Sequence, residues 1–202
     1  MRRFREAIVV AAAASAAASS GQAQVADGTG YIDGRDEAPV TVVEFLDFGC
    51  SACAHFARET LPSVRRVYIE TGRVRWQAVP FVLGAFPNSA EAARAAACAA
   101  EQQAFWEMHD VLLARRAEWT KAADPLPFFA ALASALRLDA ASFEACYDSD
   151  SSRERVARQN RAAKRLHVRA TPTFFIAGRR VLGALEFELF GRLLDEALVP
   201  SR

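Results

Sequence analysis

The chain has 202 residues, about 180 once an expected leader is removed, which suits one domain with a sizeable core or one domain carrying an insertion. Its 25 Lys and Arg against 24 Asp and Glu give a formal net charge of +1. The basic residues are scattered through helical patterns, as in Arg65-Arg66 and Arg153 to Arg165, so nothing marks a nucleic-acid-binding surface. At the start of the chain, Arg2, Arg3 and Arg5 precede an apolar run from Ala7 to Ala18. Gly21-Gln22-Ala23 then places small residues at the two positions a signal peptidase reads. Residues 1–23 are expected to be a secretory signal peptide, cleaved after Ala23. A retained membrane anchor is the alternative, but about a dozen mostly Ala residues are short and weakly hydrophobic for a span. Cleavage removes three Arg and one Glu and takes the formal charge from +1 to −1. No later stretch is long and apolar enough to span a bilayer.

Residues 24–39 form a polar lead-in with a short edge strand near Tyr31. Val40 to Leu46 is almost continuously apolar and Val-rich, the signature of a central strand buried on both faces. Gly49 breaks the run. From Ser51 onward Phe56, Val64, Val67 and Tyr68 fall at roughly helical spacing, so a helix is expected to start at Cys50, with a kink at Pro62 and a stop at Gly72. Arg73 to Val79 alternates as a strand and completes a strand, helix, strand unit.

From Asn88 to Leu166 the pattern is helical. Asn88 with Glu91 reads as a capping box, and Phe105, Trp106 and Met108 belong to a second helix as core residues. Further helices are expected over Phe128 to Leu136, after an Asp139 cap, and over Ser151 to Leu166. His167 is read as a left-handed helix stop. Thr173–Ala177 and Arg180–Ala184 are expected to form a hairpin turning at Gly178-Arg179. Glu186 to Leu198 closes the chain as an amphipathic helix.

The chemistry gathers at Cys50-Ser51-Ala52-Cys53. A sulfur at a helix start meets unpaired N–H groups and the positive end of the helix dipole, which favour thiolate over thiol. Cys50 is the candidate attacking sulfur. Cys53, about one turn on, can close a disulfide or resolve a mixed one. Half of a zinc site is the competing reading, but no second pair of Cys or His ligands has suitable spacing, and no metal is assigned. His55 and His109 each stand in a helical pattern without a ligand or triad partner in sequence.

Four stretches carry a resemblance in order along the chain: Val42-Val43-Glu44-Phe45 through Cys53, Glu59-Thr60-Leu61-Pro62, Phe105-Trp106-Glu107-Met108-His109, and Ala170-Thr171-Pro172-Thr173-Phe174-Phe175-Ile176. A lone Cys-x-x-Cys is a weak signal; one joined to a Thr-Pro-Thr-Phe-Phe segment roughly 120 residues later is a strong one. The chain resembles the DsbA-like thiol:disulfide oxidoreductases of the thioredoxin superfamily. The resemblance implies an α/β thioredoxin-like fold over residues 24–87 and 167–202, with an all-helical subdomain inserted at 88–166. It also implies that Thr171-Pro172 is a cis-proline loop facing the disulfide, that the Thr171 backbone pairs with an extended substrate segment, and that Glu44 relays protons to or from Cys53. Glu44 could instead be a strand-end carboxylate reaching solvent, and Pro172 an ordinary trans proline. Asp47, nearer the strand end, is expected to be exposed.

Four cysteines in an exported chain favour oxidised pairs. With Cys50 and Cys53 paired, Cys98 and Cys146 are left for each other. As a bridge 48 positions apart they would contribute roughly 4 kcal/mol on the loop-entropy argument; a second electron-relay pair is the functional alternative. The expected activity is disulfide exchange with thiols of unfolded or partly folded exported proteins, in the periplasm or outside the cell, by a monomer without cofactor. A quinone-linked membrane protein that reoxidises the pair is implied by the resemblance alone. Ser51-Ala52 lacks the imidazole common in strongly oxidising relatives, so reductase or isomerase work is carried as an alternative to oxidase. The 16 or so residues before Val40 are too few for the dimerising domain of isomerases. A copper(I) carrier using the two thiolates is a further alternative, weakened by the presence of only two Met, one of them the initiator.

Overall fold

The computed structural model describes residues 28–199; the expected leader at 1–23 lies outside them. Strand β1 (Tyr31–Asp33) is short, and β2 (Val40–Leu46) is the apolar run expected to be central. It is followed by α1 (Ser51–Glu59), α2 (Leu61–Val64) and β3 (Val74–Pro80). Six helices then intervene: α3 (Ser89–Glu101), α4 (Phe105–Ala114), α5 (Arg116–Trp119), α6 (Leu126–Ala135), α7 (Ala140–Asp148) and α8 (Asp150–Arg165). The chain returns through β4 (Thr173–Ile176), β5 (Arg179–Leu182) and α9 (Phe187–Leu198). The sheet order is β1-β3-β2-β4-β5, with β2 and β3 parallel and the other pairs antiparallel. This is a thioredoxin-like sheet with α3 to α8 inserted between β3 and β4.

Period-2 alternation assigns the two faces of β2 to different layers. Val40 and Val42 pack with Phe56 of α1 and with Phe190 and Leu194 of α9, whereas Val43 and Phe45 pack with Ala163 of α8 and Val168. Both faces are covered, so the strand carries no solvent-facing stripe. Phe56 is fully buried and has Phe174 at 4.7 Å and Phe190 at 5.2 Å between ring centroids.

Three local expectations are corrected. Pro62 does more than kink a continuous helix: α1 ends at Thr60, whose hydroxyl donates to the Leu185 carbonyl at 2.8 Å, and Pro62 falls in the first turn of α2, where its missing N–H costs little. The helix then widens into a π turn over Arg65–Ile69, closed by the Glu70 N–H on the Arg65 carbonyl. Asn88 and Glu91 form no capping box. Asn88 is left-handed, and its amide instead donates to the carbonyls of Trp119 and Ala122 at 2.9 and 3.0 Å. The hairpin turns one residue early, at Ala177-Gly178, where both residues have positive φ and Ile176 pairs with Arg179. His167 is left-handed at φ 53, and Val168 N–H reaches back to the Ala163 carbonyl at 3.0 Å to finish α8. Asp139 caps α7 through the Ser142 N–H at 2.8 Å.

Phe56→Ala should leave a cavity between β2, β4 and α9 and lower the unfolding free energy by about 3–5 kcal/mol, read from the midpoint and slope of urea denaturation.

Candidate functional site

Where β2 ends, the chain turns tightly: the Cys50 N–H donates to the Asp47 carbonyl at 3.0 Å, and Cys50 occupies the N-cap of α1 in an extended conformation. No side chain caps this helix, so its free N–H groups are directed at the Cys50 sulfur. Both cysteines are free thiols, Cys50 at 5% exposure and Cys53 at 1%. Across from them Thr171-Pro172 is a cis peptide. The Cys50 sulfur lies 3.3 Å from the Thr171 carbonyl oxygen, across 121 residues of sequence.

The two sulfurs are pushed in opposite directions. The Cys53 thiol donates to Cys50 and, with the buried Thr171 hydroxyl and the N–H groups of Cys53 and Ala52, lowers Cys50 to about 5 against the opposing effect of burial. Burial raises Cys53 well above the ordinary thiol range, and the charges of Cys50 and Glu44 add to the effect. At neutral pH the site therefore holds one thiolate and one thiol.

Glu44 lies on the α1 side of β2, paired across the ladder with Ala78 and Phe174. It is 2% exposed, and the Trp76 indole N–H donates to its Oε2 at 3.1 Å. Desolvation lifts its carboxyl to about 7, against the opposing pull of that hydrogen bond. It is not a strand-end group in solvent.

Asp47 contradicts the sequence expectation of an exposed carboxylate. It is buried at 2% exposure. One oxygen accepts from the Gly49 N–H at 2.8 Å and the Ser89 hydroxyl at 2.5 Å, and the other accepts from the Leu83 N–H at 2.9 Å. Arg116, from α5, donates to the Gly49 carbonyl at 2.7 Å. A Cβ at Gly49 would fall 2.3 Å from Ser89 Oγ and 2.5 Å from Phe86 Cβ, so glycine is required for this close approach. Asp47, Ser89, Arg116 and Trp76 all shape the site without a signal in sequence; only the acid three residues before Cys50 could have prompted a search.

Cys98 of α3 and Cys146 of α7 are joined by a disulfide, with Cα atoms 5.6 Å apart, away from a helix start. His55 faces Glu186 at 3.6 Å on the surface. Among the described residues, no three of His, Cys, Asp and Glu converge as a metal-ligand set, and no helix is long and apolar enough to cross a membrane.

A family model described as thioredoxin matches residues 26–196. The chain belongs to the thioredoxin family. The chain is 37% identical over 174 residues to Na(+)/H(+) antiporter NhaA 3 of Salinispora tropica, a match covering 85% of this chain and 25% of that protein. The chain thus spans about a quarter of the length of that curated relative. It is 27% identical over 168 residues to the probable disulfide bond formation protein D of Bacillus anthracis, covering 82% of this chain and 76% of that one. The crystal structure of Wolbachia pipientis alpha-DsbA1 superposes with a TM-score of 0.78 at 19% identity, covering 89% of this chain and 96% of that chain. The fold is the DsbA-like form of the thioredoxin architecture.

Glu44→Gln keeps an oxygen for the Trp76 N–H while removing the buried charge. Because the folded-state pKa of Glu44 is raised, wild-type stability is full below the ordinary value of 4.5 and falls as pH rises through about 7. In the oxidised protein the variant should gain on the order of 3 kcal/mol over wild type above pH 7, and nothing at acid pH, by thermal denaturation across a pH series.

Proposed function

We propose that this thioredoxin-family chain is an exported thiol:disulfide oxidoreductase acting as an oxidase on client proteins that carry free thiols. The observation that carries this reading is the Cys50 sulfur at the head of α1, 3.3 Å from the Thr171 carbonyl of the cis-proline loop, with a second thiol one turn along the same helix. In the oxidised enzyme a client thiolate attacks Cys50 Sγ, the Cys50–Cys53 bond breaks, and Cys53 leaves with the bonding pair. Protonated Glu44 supplies the proton that makes Cys53 a thiol. A second client thiolate attacks the client sulfur of the mixed disulfide, closing the client disulfide and releasing Cys50 as a thiolate. The client loses two electrons and the cysteine pair gains them. One client proton ends on Cys53 by way of Glu44; the other passes to solvent, because Cys50 with a pKa of about 5 stays ionised.

The oxidase direction is supported by the same asymmetry. Stabilising the thiolate stabilises the reduced pair and makes the disulfide the better electron acceptor. The backbone of Thr171 is suited to pair with an extended client segment, which favours unfolded chains with little sequence preference. Export is supported by the leader-like pattern of residues 1–23 and by the Cys98–Cys146 bridge, which persists in oxidising compartments and whose role here is structural. Reoxidation is assigned to a quinone-linked membrane partner on the ground of family alone.

The reading is tested with purified mature protein. It should catalyse oxidative refolding of a reduced disulfide protein; Cys50→Ser should abolish this, and Cys53→Ser should trap the client as a mixed disulfide. Equal activity in Cys50→Ser would sink the enzyme reading. Titration of the pair against glutathione should give a potential well above the −270 mV or so of a thioredoxin-type reductant, and the thiolate ultraviolet absorbance of the reduced protein should be half-developed near pH 5. A potential at the thioredoxin value would assign reductase work instead.

A further inference from the structure

Against α1, the helix that carries Cys53, lies a cluster of charged groups with no part in the steps above. Arg65, at the start of the π turn, grips Asp110 of α4 with both terminal nitrogens at 2.6 and 3.1 Å. Its Nε lies 3.3 Å from Asp33 of β1, and its guanidinium sits 5.1 Å from the centre of the Trp106 ring. His109 is fully buried and has its Nδ1 2.8 Å from Asp110 Oδ1. An ionised carboxylate has no proton to give, so Nδ1 carries the hydrogen. Burial holds the imidazolium down, and the ring is neutral at neutral pH. Burial disfavours ionised Asp110, but His109 and Arg65 outweigh it and keep its carboxyl below the usual carboxylate range. Arg65 and the half-exposed Asp110 line a cavity of about 200 Å³ together with Ala54, Ala57, Arg58 and Pro62, so the cluster abuts the helix that carries Cys53.

The groups that face Glu44 come from every element packed on it. Cys53 comes from α1 and Trp76 from β3, the Arg65 charge from the π turn and the Asp110 charge from α4, while Phe174 of β4 is apolar. Asp33 of β1 and neutral His109 act on Arg65 and Asp110 in turn. Trp76 offers a dipole and no charge. Asp33 stands opposite Trp76 in the β1–β3 ladder, so the Arg65 guanidinium beside Asp33 lies on the sheet face where Trp76 donates to Glu44, and its bidentate partner Asp110 is an anion that cancels part of its field.

We propose that Arg65 and Asp110 are positioning residues for the proton-handling carboxylate: Arg65 is the counter-charge that lets Glu44 ionise in the core, and Asp110, oriented by His109, sets how much of that charge Glu44 feels. The proposal rests on the relay role assigned to Glu44. The pair has a defined sign of action. Without Arg65, Glu44 is left facing the Asp110 carboxylate and keeps its proton to higher pH; without the charge of Asp110, the field of Arg65 is released and Glu44 ionises at lower pH.

The Trp76 indole N–H is a reporter of Glu44, because it donates to the carboxylate directly. Its nitrogen and proton shifts, distinguished from those of the other two tryptophans by Trp76→Phe, are followed by NMR against pH in the oxidised protein, where neither cysteine titrates. The wild-type midpoint is expected near 7. Arg65→Met should raise it and Asp110→Asn should lower it, each by roughly one pH unit, and Arg65→Lys should restore most of the shift. The rate at which Cys53 resolves a Cys50–glutathione mixed disulfide should move with the midpoint, falling about tenfold in Arg65→Met on the acid side of the wild-type midpoint. A purely structural pair would lower stability in both variants while leaving the midpoint in place. Midpoints that do not move, or that move the same way, overturn the proposal, and the Asp110→Asn arm decides alone if Arg65→Met does not fold. A resolution profile unchanged in Glu44→Gln overturns instead the relay role on which the proposal rests.

Discussion

The constraint on which this structure depends is the burial of β2 on both faces. A strand packed between α1 and α9 on one side and α8 on the other has no wet face on which to place polar groups. Every carboxylate at or beyond its middle is therefore desolvated and must find partners or hold its proton. The two acids at this end meet that constraint in different ways. Asp47 receives three hydrogen bonds and becomes a fixed brace under the cysteine turn. Glu44 receives one, from an indole, and is left close to half-protonated at neutral pH. Polar satisfaction makes the first structural, and its shortage makes the second capable of moving a proton.

The same reasoning separates the cysteines. Cys50 caps a helix with free N–H groups and faces the loop at Thr171, so its negative charge is solvated by the protein. Cys53 lies one turn deeper on the inner face, where burial and the charges of Cys50 and Glu44 outweigh a backbone hydrogen bond at Asp47. The dipeptide between them, Ser51-Ala52, brings no charge; the difference between the sulfurs comes from the Cys53 thiol that donates to Cys50, from burial, and from the Thr171 hydroxyl and backbone N–H groups around Cys50.

Much of this was legible in the sequence because it depends on local order. The apolar run Val40–Leu46, the helix start at Cys50, the Asp139 cap and the left-handed His167 are each set by neighbours a few positions away. What could not be read depends on partners remote in sequence. The groups that bury Asp47 are 36 and 42 residues distant, and Arg65 meets Asp110 across 45. Asn88 shows how tertiary structure overrides a local pattern: the capping-box residues are present, but the carbonyls of Trp119 and Ala122 capture the amide. At the hairpin, the lone glycine marked the turn but left its register open, because Ala177 also adopts a left-handed conformation.

The inserted helices pack beside the cysteine turn. Arg116 gives them a more intimate role, since its guanidinium holds the carbonyl of the residue next to Cys50. Helical insertion and cysteine turn are thereby joined through the Arg116 Nε–H bond. A displacement of α5 would therefore be felt at the turn that carries Cys50.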